Sequence, residues 1–141
     1  MLLDGSAIVA ILNREPGSDE LVRRIEAGTN VRTPLFSPLS RFEAIVSLAR
    51  SRPEMPRSAS AELIAAAAEA VDQLLTEAGA KSIAISDDIG TGASNAARTY
   101  GRAVRPPADL NPGDCFADAC ARTRGVALFY NGDDFARTDL A

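Results

Sequence analysis

Four acidic residues, Asp4, Glu43, Asp114 and Asp134, each stand beside a strong apolar signal. Asp4 ends Met1-Leu2-Leu3-Asp4, and Glu43 lies within Ser40-Arg41-Phe42-Glu43-Ala44-Ile45. Asp114 opens Asp114-Cys115-Phe116-Ala117, and Asp134 follows the run Val126-Ala127-Leu128-Phe129-Tyr130 after a turn. A carboxylate held against apolar elements is costly unless its charge is compensated. A divalent cation supplies that compensation, and an all-oxygen donor set selects hard ions such as Mg²⁺ or Mn²⁺. An ion so held acidifies a bound water.

Each acid also has an ordinary structural reading. Asp4, after a short apolar start, reads equally as the cap of the helix that follows. Glu43 reads as a helix acid, although Phe42, Ile45 and Val46 leave little of its surroundings wholly solvated. Asp114 follows Pro112-Gly113 at a helix start, where the macrodipole stabilises an acid. Asp133 and Asp134 sit in a turn-like Asn131-Gly132-Asp133-Asp134, where acids are routine. Asp118 lies one turn beyond Asp114, and like charges at that spacing repel unless a cation lies between them. It reads either as a further acid of the site or as a solvated helix acid.

The elements that must position these groups follow from pattern. Leu2–Leu3 reads as a strand ending at Asp4, and Ser6 as the cap of a helix over residues 7–12. A second helix starts near Ser18, with Leu21, Val22 and Ile25 at helical spacing. Gly28-Thr29-Asn30 reads as a turn, and residues 31–36 as a second strand that Pro34 weakens. Pro38 precedes a helix bearing Phe42, Ile45 and Val46. Residues 52–57 form a loop, 60–78 a long alanine-rich helix, and 81–86 a third strand. Asp87 or Asp88 caps a helix running to about Tyr100. A Pro-containing loop spans 104–112. Asp114 begins a helix ending at Gly125, and residues 126–130 form the fourth strand. Alternation of strands and helices predicts one α/β domain over residues 1–141, with a central parallel sheet of about four to five strands between helical layers. In such sheets sites form beyond the carboxyl ends of the strands, which permits all four acids to meet.

Composition narrows the chemistry. The chain has 141 residues, 46% hydrophobic and 24% charged, which suits a folded domain with a sizeable core. It has no histidine, which removes Ser-His-Asp and Cys-His catalysis and His-based zinc sites. Cys115 and Cys120 are too few for a four-thiolate site and read as small buried thiols in a reduced compartment. The net charge of −4 advertises no broad basic surface, yet leaves room for a nuclease in which metal ions and local arginines meet phosphates. The acid at position 4 comes too early for an apolar signal core, and no apolar run is long enough to span a bilayer. A cytoplasmic protein without membrane attachment is expected.

Taken in order, these motifs resemble the PIN-domain nucleases, and within them the VapC-type toxins of bacterial toxin–antitoxin pairs. Leu3-Asp4-Gly5-Ser6-Ala7-Ile8-Val9 is similar to that family's opening strand–Asp–x–Ser. Ser40-Arg41-Phe42-Glu43 matches its Ser/Thr-x-x-Glu helix, and Leu110-Asn111-Pro112-Gly113-Asp114-Cys115-Phe116 is close to its Leu-Asn-Phe-Gly-Asp-Cys-Phe signature. Gly132-Asp133-Asp134-Phe135-Ala136-Arg137-Thr138-Asp139 matches its ending, so the resemblance spans the chain. It implies a PIN-like three-layer α/β/α fold and an Mg²⁺- or Mn²⁺-dependent endoribonuclease. Asp4, Glu43, Asp114 and Asp134 are then the catalytic metal-binding acids, with Asp134 preferred over Asp133 because it immediately precedes Phe135. Ser6 steadies Asp4. Arg14, Arg41, Arg102 and Arg137 are candidate phosphate contacts. The resemblance further implies an RNA substrate, a homodimer and a cognate antitoxin that blocks the site. Two positions depart from the pattern. Gly5 replaces a usual Thr, which is expected to loosen the backbone beside Asp4, and Asp118 replaces a common aromatic. They keep open the alternative of a PIN-like binding module that cuts weakly or not at all.

Overall fold

The computed structural model describes residues 1–29, 31–51, 60–104 and 108–139. Ten elements follow one another: β1 (Leu2–Leu3), α1 (Gly5–Leu12), α2 (Ser18–Thr29), β2 (Leu35–Phe36), α3 (Pro38–Arg50), α4 (Ala61–Glu77), β3 (Lys81–Ser82), α5 (Asp87–Tyr100), α6 (Pro112–Arg124) and β4 (Leu128–Phe129). The four strands make one parallel sheet in the order β3-β2-β1-β4. Leu2 stands opposite Leu35 and Leu128, and Leu3 opposite Phe36 and Phe129.

Strand alternation divides the interior into two halves. Leu2 and Leu128 point into a cluster with Ile89 of α5, Ala117 and Cys120 of α6, and Phe135. Leu3 and Phe129 point the other way, into a cluster with Ile8, Ile25, Ile45, Val71 and Leu75 from α1 to α4. Successive residues of two-residue strands thus feed opposite layers, which gives a three-layer α/β/α arrangement. Both cysteines are buried free thiols in the first half, and burial pushes both thiols up from their ordinary pKa.

The strands are shorter than the sequence pattern suggests. The amides of Val31 and Arg32 donate to the carbonyl of Gly28, closing α2, so β2 starts only after Pro34, which has no N–H to give. Beyond Ser82, only the Ile83 amide continues the ladder, to Phe36, before the chain turns to Ser86. Helix starts also move. Asp4, not Ser6, caps α1, Ser86 rather than Asp87 or Asp88 caps α5, and Asn111 caps α6 three residues ahead of Asp114. Asn30 of the expected turn, the loop at 52–57 and residues 105–107 of the Pro-containing loop lie outside the described residues.

β1 neighbours both β2 and β4. The chain leaves β1 toward β2 and returns to its other side only with β4, so a crevice opens at the carboxyl ends of β1 and β4. Asp4 leaves the first of these strands, and the loop bearing Asp134 leaves the second.

Candidate active site

At that crevice lies a cavity of about 510 Å³, lined among others by Asp4, Glu43, Asp114 and Asp134. Four segments distant in sequence each deliver one acid. Asp4 is 5% exposed and its Oδ2 accepts from both the backbone amide and the hydroxyl of Ser6, at 3.0 and 2.6 Å. It is therefore a helix cap and a cleft acid at once, because capping occupies only one carboxylate oxygen. The Ser6 hydroxyl in turn accepts from the Asn131 amide at 3.0 Å. One side chain thereby ties the end of β1 to the loop that carries Asp134.

Asp114 is fixed by a reciprocal cap. Its Oδ2 accepts from the Asn111 amide at 2.7 Å, and its own amide donates to Asn111 Oδ1 at 3.1 Å. Glu43 is half-buried on α3, and its carboxylate occupies space that any side chain at position 113 would fill. A β-carbon on Gly113 would overlap that carboxylate directly. Gly5 does a related job. A β-carbon there would come within 3.1 Å of the Ser40 carbonyl and 3.4 Å of the Ala44 amide, so α1 packs its first turn tightly against α3. The residue expected to loosen the backbone instead permits close helix contact.

Charge in the cleft is unbalanced. Burial, then the carboxylates of Asp4 and Asp114, push Glu43 up to about 7. Burial lifts Asp114 to about 6, the Asn111 amide opposing and Asp4 and Asp134 adding to the rise, with Arg102 drawing it back. These couplings link Glu43 to Asp4 and Asp114, and Asp114 to Asp4 and Asp134. Among the described residues, no three acidic or cysteine side chains are gathered closely enough to hold an ion as they stand. The donor set nevertheless fits a hard cation: all its atoms are oxygens, two of its members are lifted by burial and by facing carboxylates, and Gly113 leaves the Glu43 carboxylate its place.

The other sequence candidates divide. Asp134 lines the cleft but is exposed, and Asp133 is exposed and does not line it. Asp118 does not line it either. Far from being solvated, it is 2% exposed, with Oδ2 accepting from Arg122 Nε at 2.8 Å and Oδ1 buried without a partner. Arg122 also pairs with Asp139, which accepts from the Tyr100 hydroxyl at 3.2 Å. Asp118 thus anchors the C-terminal segment. Arg41 is committed to Asp72 through two hydrogen bonds of 2.6 Å, Arg102 pairs with Asp109 at 3.4 Å, Arg14 lines a different cavity, and Arg137 is exposed. Among the described residues, Arg50 is the arginine that lines the cleft. Sequence reasoning passed over it, although Glu43, Ser47 and Arg50 stand at i, i+4 and i+7 and so share a helix face. Glu15 was also passed over; it lines the cleft and its Oε2 accepts from the Asn131 side-chain amide at 3.2 Å.

Comparison with known proteins agrees with this geometry. The PIN domain family model matches residues 1–140. A VapC ribonuclease of Rhizobium meliloti is 41% identical, covering 98% of this chain and 97% of its own. Ribonuclease VapC42 of Mycobacterium tuberculosis is 35% identical over 99% of this chain and 96% of its own, and ribonuclease VapC30 of the same organism 34% identical over 100% and 96%. With its acids drawn from the ends of β1 and β4 and from α3 and α6, and with matches running the length of the sequence, the chain belongs to the PIN-domain family.

Proposed function

We propose that this protein is a metal-dependent endoribonuclease, the toxin of a toxin–antitoxin pair. The observation that carries the reading is the single cleft lined by Asp4, Glu43, Asp114 and Asp134, in a chain whose full-length relatives are named VapC ribonucleases. PIN-domain ribonucleases of this kind depend on a metal, and we assign Mg²⁺ or Mn²⁺ to these four carboxylates. When bound, the ion supplies an acidified water and neutralises phosphate charge.

The chain's own residues do the positioning. Ser6 orients Asp4, Asn111 orients Asp114, and the missing side chain at Gly113 admits Glu43. Ser6 and Glu15 hold Asn131, and with it the loop of Asp134. Arg50 offers the cleft a guanidinium for a substrate phosphate. With no histidine in the chain, protons pass through carboxylate oxygens or water. Addition of water to phosphorus with loss of the 3′-oxygen leaves a 5′-phosphate and a 3′-hydroxyl. The toxin role brings with it an antitoxin protein covering the cleft, a homodimer and a cytoplasmic setting, on one domain spanning residues 1–141. Among the described residues no helix is long and apolar enough to cross a membrane.

The test is digestion of total RNA with Mg²⁺, with Mn²⁺ and with EDTA, beside an Asp4→Asn control. Asparagine caps a helix as well as aspartate does, so the variant keeps α1 and loses ligand charge. Cleavage that needs metal and vanishes in Asp4→Asn is expected. RNA left intact by folded protein in both ions, or cut equally by the variant, refutes the reading.

A further inference from the structure

We propose that Phe42 is a stacking platform for an unpaired nucleobase of the substrate RNA. The proposal deepens the ribonuclease reading and rests on it. The chain has five phenylalanines, two tyrosines and no tryptophan. Of these seven rings, Phe42 alone is exposed, at 60%, and it lines the carboxylate cleft. The other six are buried or half-buried.

Its surroundings form a wall with a polarity. Phe42, Val46 and Arg50 stand at i, i+4 and i+8 on α3, a single stripe about 12 Å long. Val9 of α1 joins them in the same cavity. The ring follows from the same helix as Glu43 and precedes it by one residue, so an apolar surface and a metal-site acid share one edge of the cleft. A phosphodiester placed at the acids therefore brings an attached base to the Phe42–Val46 wall, and a neighbouring phosphate toward Arg50.

Charge makes such a platform necessary. Among the described residues, five carboxylates line the cleft, Asp4, Glu15, Glu43, Asp114 and Asp134, against the one guanidinium of Arg50. Arg41 and Arg122 are held by Asp72, Asp118 and Asp139. A polyanion gains little from such a surface beyond the bound cation and Arg50. Stacking supplies affinity without charge, tolerates any base because every base has a π-face, and is open only to bases outside a helix.

The absence of tryptophan provides the assay. Phe42→Trp creates a single fluorescent reporter that keeps an aromatic face. Rapid mixing with a short single-stranded RNA of mixed sequence in Mg²⁺ should quench its emission before turnover, and the same RNA annealed to its complement should not. Phe42→Ala should raise KM on the single strand about 5- to 150-fold with kcat little changed, while the melting temperature stays as in the parent. Unchanged KM in Phe42→Ala overturns the proposal. So does emission that ignores RNA but shifts with protein concentration or with added antitoxin, which would make this face a protein contact. If the parent cuts no RNA while Phe42→Trp is still quenched by the single strand, the platform stands and the nuclease reading falls.

Discussion

Neutralising Glu43 should make the metal-free protein more stable near neutral pH and leave it unchanged in mild acid. The Glu43 carboxyl is raised from 4.5 to about 7 by burial and by the facing carboxylates of Asp4 and Asp114. The folded protein therefore holds this proton more tightly than the unfolded chain does. Stability from this source is complete below about pH 4.5 and is lost as pH rises through about 7. Asp114, raised to about 6, acts in the same direction, and the acids titrate as a set. The shift at Glu43 alone corresponds to roughly 3 kcal/mol, and solvent reaching the open cleft lowers this to on the order of 1–2 kcal/mol. For a chain of this size each kcal/mol moves the melting point by about 3–5 °C. Thermal melting in EDTA between about pH 4 and 8 compares the parent with Glu43→Gln, whose amide fills the same space and never ionises. The parent should fall with rising pH, and the variant should melt higher by about 3–10 °C at the alkaline end and match it at the acid end. Mg²⁺ should restore the parent more than the variant, because an ion bound only by the folded state adds stability by mass action. Parallel curves for the two proteins in EDTA would refute the electrostatic account of the cleft.

Substitutions at four further positions probe how the site and the C-terminal segment are held. Gly113→Ala should displace the flexible Glu43 carboxylate and so cut RNA cleavage by more than about tenfold, which is over 1.4 kcal/mol of barrier, while melting changes little; retained activity would show that Glu43 does not need that space. Ser6→Ala removes the hydroxyl that donates to Asp4 and accepts from Asn131, and should cost about 1–2 kcal/mol in denaturant melts together with activity, whereas Ser6→Thr should keep much of both. Arg122→Ala leaves the buried Asp118 carboxylate unpaired and should cost about 3 kcal/mol; Asp118→Asn should leave Mg²⁺ affinity as in the parent, and a weakened titration would return Asp118 to the metal site.

Much of this was legible because the informative residues sit at element ends. Leu-Leu followed by Asp-x-Ser marks a strand turning into a helix, and the alternation of elements permits the acids to meet at the carboxyl ends of the strands, while the pairing of β1 with β4 is read from the structure. The identities of the caps were less legible. Asp4, Ser6, Asp87 and Asp88 are all competent caps, and only packing decides which amide meets which oxygen. Strand ends were hidden for a related reason: two-residue ladders leave no periodicity to count, and the apolar residues flanking them serve turns instead. Asp118 was misjudged as a solvated alternative because its partner, Arg122, lies a turn further on and its anchor, Asp139, lies in the tail. Arg50 and the exposure of Phe42 were hidden differently. α3 has a buried face, with Ala44, Ile45 and Leu48, and a cleft face, and apolar residues occur on both.

The space beside Gly113 bears on how such a nuclease is lost. Silencing it requires no change to any of its four acids. A single base change in one glycine codon would evict Glu43 from the place it occupies while leaving every acid in the chain intact. A lineage under pressure to disarm its toxin would then carry a gene that looks armed. Surveys that count acids across genomes would score it as active, and position 113 is where the living and the silenced copies would part.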